Sequence, residues 1–286
     1  MQSIYMLGSA EQRERWLPTM ASLDRIGAFA LTEPDHGSDS IALETTARRD
    51  GDGWVINGRK RWPGNAVWCD VIVVFARDVA DGQVKAFVVE KDDVGYSATK
   101  IGGKVSLRVV QNADIVLDEV RIGDDRRLES CHSFADVTKV LMGTRNMVAW
   151  SSTGHAVAAY EIARTYAQRR SQFGKSIAGT QLVQAQLVEM LGYVTAMQLY
   201  CIRLGRLIDE GKLTDTMAAL AKHFCSVKAR EVCRMARDIL GGNGILLDFH
   251  VIRHLADMEA LVTYEGTAEI QSLIVGRHIT GESAFV

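Results

Sequence analysis

Four short motifs in this chain of 286 residues carry polar groups that are suited to chemistry. The first, residues 264–267 (Tyr-Glu-Gly-Thr), places the carboxylate of Glu265 just before a segment whose apolar residues follow a helical period. Thr267 can act as the N-cap of that helix, and Glu269 suits the positive end of its dipole. A buried carboxylate at such a place is a candidate general base. Taken alone, however, the motif is more typical of a solvated helix start.

Two further motifs carry groups that can bind a polar ligand. Residues 32–39 (Thr-Glu-Pro-Asp-His-Gly-Ser-Asp) follow a short apolar strand, and the hydroxyls of Thr32 and Ser38 can contact a ligand at close range. Residues 169–174 (Arg-Arg-Ser-Gln-Phe-Gly) can hold an anion between their guanidinium groups. An ordinary polar turn and a solvated helix end explain these two motifs better when each is considered by itself.

Residues 241–244 (Gly-Gly-Asn-Gly) follow a helix that we expect to end near Leu240. A helix C-cap and turn would explain one glycine, whereas consecutive glycines also allow a ligand to approach the backbone. The two interpretations have about equal weight. A P-loop is excluded because no Lys-Ser/Thr pair follows, and the dinucleotide fingerprint requires a preceding strand and a different spacing.

In the N-terminal half of the chain, the sequence predicts short helices and short strands as the elements that position these motifs. Residues 1–24 have a helical pattern, and Pro18 is expected to divide it. From residue 27 to residue 127, apolar runs alternate with Gly and Asp turns, which predicts a hairpin at residues 51–53 and another at residues 81–82. Since the strands follow one another without helices between them, parallel βαβ units are not expected. We therefore predict a compact antiparallel β domain.

The C-terminal half has a helical pattern almost to its end. Apolar residues recur at helical spacing in four long segments, with breaks at residues 177–180, at Gly211 and at residues 241–244. The last predicted segment runs over residues 249–279. Four amphipathic segments in series predict an antiparallel four-helix bundle. The expected class is α+β, with domains at residues 1–26, 27–130 and 131–286.

Composition excludes several classes of protein. Lys plus Arg (33) nearly balances Asp plus Glu (35), so nucleic acid and anionic membranes are not expected as partners. The five cysteines show no metal-ligand spacing, which favours free thiols in a reducing compartment and no metal site. No apolar run reaches the length of a membrane span, and the first residues lack a signal-peptide pattern. A soluble cytoplasmic protein is the expectation.

In their order and spacing, the motifs resemble the acyl-CoA dehydrogenase family over essentially the whole chain. Residues 239–245 (Ile-Leu-Gly-Gly-Asn-Gly-Ile) and 250–254 (His-Val-Ile-Arg-His) are most similar to glutaryl-CoA dehydrogenases and plant short-chain acyl-CoA oxidases. The resemblance implies a flavoprotein oxidoreductase of fatty-acid metabolism that holds FAD between its β domain and its helical bundle. It also implies a homo-oligomer, with a tetramer as the family habit, because two subunits share each FAD site.

The resemblance also assigns roles to residues. Flavin contacts are expected from Phe29, Leu31, Thr32, Ser38, Trp62, Gly64, Thr267 and Glu269. Contacts to the FAD of a neighbouring subunit are expected from Arg170, Phe173, Gln181, Asp238, Leu240, Gly241 and Gly242. Contacts to the acyl-CoA are expected from Ser38, Met142, Gly143, Thr144, Arg145, Tyr264 and Gly266, and Arg145 is also expected to fix the Glu265 loop.

The chemistry that the resemblance implies is α,β-dehydrogenation of an acyl-CoA to a trans-2-enoyl-CoA. Glu265 takes the α-proton, and the β-hydrogen leaves as hydride to flavin N5. Exclusion of water and hydrogen bonds to the thioester oxygen stabilise the developing enolate, and burial raises the carboxylate pKa. Electron-transfer flavoprotein or oxygen is the expected acceptor of the electrons.

The chain departs from the family pattern in two places. Pro63-Gly64 stands where most members carry Ile-Thr, and that threonine normally hydrogen-bonds flavin N5. Two enzyme functions are therefore alternatives: a dehydrogenase for short acyl chains, and an oxidase whose reduced flavin reacts with oxygen. Residues 1–24 resemble only the last segments of the family's N-terminal helical domain, so residues 1–26 are interpreted as its remnant. A non-catalytic subunit that completes the FAD site of a partner is therefore a third alternative.

Overall fold

The structure, a computed structural model, describes residues 1–285 and divides into two compact units. The first unit comprises Met1–Lys104 and Arg108–Val140, and the second comprises Val105–Leu107 and the chain from Leu141 onward. The domain limits expected at residues 26 and 130 stay predictions. Within residues 1–285, no helix is both long and apolar enough to cross a lipid bilayer. All five cysteines are buried and free.

Two helices begin the first unit, α1 (Gln2–Leu7) and α2 (Ala10–Ala21). The chain divides at Gly8, where the backbone becomes extended, and not at Pro18, so that prediction was wrong. Ser9 forms a capping box with Gln12 and starts a new helix there. Pro18 lies inside α2, where its missing N–H removes only one hydrogen bond, and burial of Trp16 on the same helix offsets that loss.

Seven strands form one sheet in the first unit. They are β1 (Gly27–Ala30), β2 (Thr46–Asp50), β3 (Gly53–Gly64), β4 (Val71–Asp78), β5 (Val84–Glu90), β6 (Tyr96–Lys100) and β7 (Asn112–Gly123). Both predicted hairpins are confirmed, because β2 pairs antiparallel with β3 and β4 pairs antiparallel with β5. Residues 42–45 lie outside the first of these hairpin strands, and Ser40–Ala42 forms a 3₁₀ turn.

The sheet is mixed rather than wholly antiparallel. β1 and β2 both pair in parallel with one edge of β4, while β5 pairs with its other edge. The parallel pairs arise without βαβ units, because the connection from β1 to β4 passes through the β2–β3 hairpin instead of a helix. β4 and β5 are buried along nearly their whole length, which explains their continuous apolar sequence.

The second unit is helical. Its helices are α3 (Phe134–Arg169, which begins in the first unit), α4 (Gln181–Asp209), α5 (Asp215–Ile239), α6 (Val251–Leu261) and α7 (Ala268–Thr280). A short hairpin of β8 (Ser171–Gln172) and β9 (Lys175–Ser176) links α3 to α4. The predicted breaks near residues 177–180, Gly211 and residues 241–244 are confirmed.

The predicted helical segment over residues 249–279 is two helices, so the C-terminal region has one helix more than expected. The pattern of apolar residues continues across the break, and it hides a turn at residues 262–267. α5 packs against α4, α6 and α7 through small buried residues such as Ala218, Ala221 and Ala229. Small side chains allow helices to approach closely. α5 is therefore the central helix of the second unit, and its side chains can reach the turn that precedes α7.

Candidate active site

The turn between α6 and α7 presents Glu265 in an unusual backbone conformation. Glu265 has φ = 57° and Gly266 has φ = 85°, so two successive residues lie in the left-handed region. A residue with a side chain rarely adopts this conformation, because it costs of order 1–3 kcal/mol. Thr267 then accepts a hydrogen bond from the Ile270 N–H and starts α7, as the sequence predicted.

Two fully buried polar side chains hold this turn by its carbonyl groups. Lys222 Nζ of α5 donates to the carbonyl oxygens of Val262 (3.0 Å) and Gly266 (2.7 Å). Gln271 Nε2 of α7 donates to the carbonyls of Glu265 (2.9 Å) and Gly266 (3.1 Å). A Cβ on Gly266 would lie 2.4 Å from Gln271 Nε2, so the turn requires glycine both for its backbone angle and for space.

The Glu265 carboxylate itself is bound by α3. Thr144 Oγ1 donates to Glu265 Oε2 at 2.7 Å. Burial raises the pKa of Glu265 above its ordinary value of 4.5, while the Thr144 hydrogen bond and the charges of Arg145 and Lys222 act in the opposite direction. The backbone N–H of Glu265 donates to no acceptor within residues 1–285. The turn therefore combines a carboxylate of raised basicity with a free donor on the same residue.

Two cations stand beside this carboxylate. Arg145 is buried and forms an ion pair with Asp215 in the first turn of α5. Burial lowers the pKa of Lys222 to about 8, and the Glu265 charge opposes that shift. Lys222 thus faces the Glu265 carboxylate, and its Nζ donates to both carbonyls of the turn.

Sequence reasoning missed Lys222, Gln271 and Asp215. A signal existed for Lys222, because it occupies a core position of α5 beside Ala218, Ala221 and Cys225 at helical spacing. A lysine on an apolar helix face is buried only when it has partners. Of the other predicted substrate residues, Met142 and Gly143 are half-buried on the same turn of α3 as Thr144, and Tyr264 is half-exposed beside Glu265.

The predicted flavin residues of the first unit lie on β1, on β3 and on the segment that follows β1. Phe29 is on β1, and Leu31 and Thr32 follow it, with the Thr32 carbonyl accepting from the Arg61 N–H at 2.9 Å. Trp62, near the end of β3, has φ = 77°, and half of its ring is exposed. Gly64 ends β3 opposite Asn112. Ser38 lies in an exposed loop.

The residues expected to serve a neighbouring FAD lie near the end of α3, in the β8–β9 turn, at the start of α4 and near the end of α5. Asn243 Nδ2, within the glycine segment 241–244, donates to the Tyr166 hydroxyl at 2.9 Å. The Arg170 N–H donates to the Tyr166 carbonyl at 2.8 Å. Asp238 and Leu240 lie just before this segment, and Gln181 is the first residue of α4. Phe173, in the β8–β9 turn, is fully exposed.

The glycine segment lies far from Glu265 within one chain. Lys222 contacts the Glu265 turn, whereas the glycine segment begins after Ile239, at the other end of α5. At a rise of 1.5 Å per residue, these two points of α5 are roughly 25 Å apart. Thr267 and Glu269, by contrast, follow Glu265 directly. The structure thus separates the predicted cofactor residues of the second unit into two groups.

The open backbone of the glycine segment fits a large external ligand. Gly241 has φ = 58°, so a C-cap explains this glycine. Gly242 has no positive φ, and a Cβ on it would meet no atom of residues 1–285 within 4 Å. Neither backbone strain nor internal packing requires a glycine at residue 242. The aromatic ring of Phe173 is likewise fully exposed and free to contact an external group.

Comparison with known proteins identifies the family of the chain. Residues 28–120 match the model of the acyl-CoA dehydrogenase middle domain, and residues 134–280 match that of the acyl-CoA dehydrogenase C-terminal domain. The chain belongs to the acyl-CoA dehydrogenase family. This is a family of FAD-dependent oxidoreductases that act on CH–CH groups, so the predictions of family, enzyme class and cofactor are confirmed.

Relatives in the acyl-CoA dehydrogenase family cover nearly the whole chain. The mitochondrial short-chain specific acyl-CoA dehydrogenase of Bos taurus is 36% identical over 280 residues, which is 96% of this chain and 68% of that protein. The 3-(aryl)acrylate reductase of Clostridium sporogenes is 34% identical over 278 residues, 96% of this chain and 74% of that protein. A crystal structure of glutaryl-CoA dehydrogenase from Mycobacterium smegmatis, 40% identical, superposes with a TM-score of 0.97 over 99% of this chain and 73% of that one.

The comparisons also bear on cofactor and fold. The structure of a glutaryl-CoA dehydrogenase from Mycobacterium smegmatis that is 36% identical, with a TM-score of 0.97 over 99% of this chain and 73% of that one, is a complex with FADH2. The predicted α+β class, with a β domain followed by a helical region, is confirmed by these neighbours in the acyl-CoA dehydrogenase family.

Proposed function

We propose that this chain catalyses the FAD-dependent α,β-dehydrogenation of a short-chain acyl-CoA to a trans-2-enoyl-CoA, with Glu265 as the base. The observation that carries the proposal is the Glu265 turn. A carboxylate whose pKa is raised by burial stands on a left-handed turn that Lys222 and Gln271 fix through its carbonyls. The name of the bovine relative supports a short acyl chain.

In this mechanism the chain's own groups handle the α-proton. The carboxylate of Glu265 accepts it, and the raised pKa strengthens that carboxylate as a base. The Glu265 N–H, which has no acceptor within residues 1–285, can donate to the thioester oxygen and stabilise the developing enolate. Bound FAD supplies the two-electron acceptor for the β-hydrogen. Thr32 and Trp62 are the contacts proposed for it in the first unit, and Thr267 and Glu269 are those proposed in the second. Arg170, Phe173, Gln181 and the glycine segment would serve the FAD of another subunit.

We propose that a second copy of the chain supplies the cofactor contacts of the glycine segment, Arg170, Phe173 and Gln181. The exposed face of α4 carries the apolar side chains of Val188, Leu191, Leu199 and Ile202, which recur at helical spacing. Contiguous exposed apolar residues of this kind mark interaction surfaces. The distance of roughly 25 Å between the two groups of cofactor residues along α5 is consistent with their serving different FAD molecules.

The test is a visible absorption spectrum of the purified protein with FAD, before and after anaerobic addition of butyryl-CoA. We expect bleaching near the visible maximum of the flavin. If no acyl-CoA of any chain length bleaches the flavin, the proposed dehydrogenation is wrong. Loss of the bleaching when butyryl-CoA is replaced by free CoA controls for reduction by a thiol.

An acyl-CoA oxidase is the second candidate, and Gly64 favours it. Glycine offers no side-chain donor at this place, and a Cβ there would lie 3.1 Å from Val110 Cγ1, so the site is crowded against a larger residue. Admitting air after the anaerobic reduction separates the two functions. Rapid formation of hydrogen peroxide supports the oxidase, while slow reoxidation that an external electron acceptor accelerates supports the dehydrogenase.

The Thr144 hydrogen bond leads to a prediction about pH. A base must be ionised, so kcat/KM should rise with pH through the pKa of Glu265, at a pH above the ordinary carboxyl value of 4.5. Thr144→Val removes a donor that favours the ionised carboxylate, so the pKa rises further. We expect the acidic limb of the pH profile to move up by about one pH unit.

Thr138→Val is the matched control, because its hydroxyl donates to the Phe134 carbonyl on the same helix. Its pH profile should equal that of the wild type. An acidic limb that stays in place in Thr144→Val, or that moves equally in both variants, would show that Glu265 does not set it.

A further inference from the structure

The segment after β1 leaves the sheet ladder but stays ordered beside β3. The pairing of β1 with β4 ends at Ala30 opposite Val74. The next three residues, Leu31 to Glu33, each bond instead to one of two adjacent residues of β3. Lys60 Nζ donates to the Leu31 carbonyl at 3.0 Å, and the Arg61 N–H donates to the Thr32 carbonyl at 2.9 Å.

Glu33 completes this arrangement. Its carboxylate accepts from Lys60 Nζ at 2.8 Å and from the backbone N–H groups of Glu44 (2.6 Å) and Thr45 (2.9 Å). Lys60 has no exposed surface, and Glu33 is 5% exposed. Burial alone would raise the pKa of Glu33, but the Lys60 charge and these hydrogen bonds hold it below its ordinary value. Burial also lowers the pKa of Lys60 to about 8, and the Glu33 charge opposes that shift. The two groups therefore form a buried ion pair in which each has further hydrogen-bond partners.

A buried ion pair of this kind adds little to stability over a pair of apolar residues, because both charges lose their hydration. Its distinctive property is that it fixes geometry. Lys60 bonds to the residues on both sides of Thr32, and it lies two residues before Trp62 on β3. One side chain thus connects the two segments that carry the flavin contacts proposed for the first unit.

We propose that the Lys60–Glu33 ion pair is a positioning device for FAD, which holds Thr32 in a fixed place relative to Trp62. The inference deepens the proposed function and depends on it, since it concerns the same cofactor. Lys60 and Glu33 themselves are buried and are positioning residues, not flavin contacts. Their removal should therefore loosen the cofactor site without deleting any group that contacts the cofactor.

The test is FAD binding by the apoprotein of Lys60→Met, measured by fluorescence titration together with the visible spectrum of the bound flavin. We expect the dissociation constant to rise about tenfold or more, because the Leu31 carbonyl loses its donor. The flavin absorption bands should also shift or broaden as Thr32 moves. A second variant, Glu33→Gln/Lys60→Met, leaves no unpaired buried charge, so it keeps the test valid if the single variant does not fold.

Lys85→Met is the matched control. Lys85 lies in the same sheet and pairs with the buried carboxylate of Asp78, but it bonds to no residue of the segment after β1. We expect a similar loss of thermal stability with unchanged FAD affinity and spectrum. Wild-type affinity and spectrum in both Lys60 variants, or an equal loss of affinity in Lys85→Met, would overturn the inference. A wild-type protein that binds no FAD would instead refute the proposed function.

Discussion

Replacing Glu265 by glutamine is expected to lower the turnover of butyryl-CoA by about a thousandfold or more, because the amide cannot accept the α-proton. Glutamine has the same shape, and its amide oxygen can still accept the Thr144 hydrogen bond, so the fold and FAD binding should persist. Steady-state turnover with an artificial electron acceptor measures the first effect. Exchange of the substrate's α-hydrogen in heavy water measures proton abstraction directly.

Glu259→Gln provides the control for this experiment. Glu259 lies on α6 and forms an exposed ion pair with Arg230 at 3.4 Å, and exposed pairs of this kind add little stability. Its turnover and exchange should equal those of the wild type. Unchanged turnover in Glu265→Gln would refute the role of the base and favour a subunit that only completes a partner's FAD site.

Lys222→Met is expected to have the largest effect on stability, with a loss of about 3 kcal/mol in the free energy of unfolding. The substitution removes one of two donors to each of the carbonyls of Val262 and Gly266, which then keep only the Ala268 N–H and Gln271 Nε2 respectively. It also removes a positive charge that lowers the pKa of Glu265. Thermal and denaturant unfolding measure the first effect. The acidic limb of kcat/KM, which should move to higher pH, measures the second.

Lys228→Met is the matched control on the same helix. Lys228 pairs with Glu231 one turn away, at 2.9 Å and partly in solvent. Its loss should change the free energy of unfolding by less than about 0.5 kcal/mol. An equal effect of both substitutions would mean that the loss arises from α5 in general and not from the Glu265 turn.

The sequence predicted those elements whose limits depend on local chemistry. The hairpins at Gly51–Gly53 and Asp81-Gly82 follow from turn residues between apolar runs, and the start of α7 follows from Thr267. The break lies at Gly8 and not at Pro18 because the capping box of Ser9 and Gln12 starts a new helix, and these polar residues are not part of the apolar period. The parallel pairing of β1 with β4 joins residues more than forty positions apart, and no local pattern reports it.

The candidate site was also predictable only in part, because some of its contacts join residues that are distant in the sequence. The motif around Glu265 was recognisable because four adjacent residues carry it. Lys222 and Gln271 were not, because their role depends on contacts that only the packed helices create. The Lys222 bonds to the turn cross 40 and 44 residues of sequence. The separation of Glu265 from the glycine segment likewise follows from the length of α5, not from either motif.

Because all five cysteines are buried, the reactivity of their thiols reports the transient local unfolding of the structure around them. Cys69 and Cys131 belong to the first unit, and Cys201, Cys225 and Cys233 belong to the second. A thiol reagent can reach a buried sulfur only when the surrounding structure opens transiently. Pulse labelling of the thiols, followed by mass spectrometry of peptides, would therefore measure the rate of local opening in each unit separately, without any introduced probe.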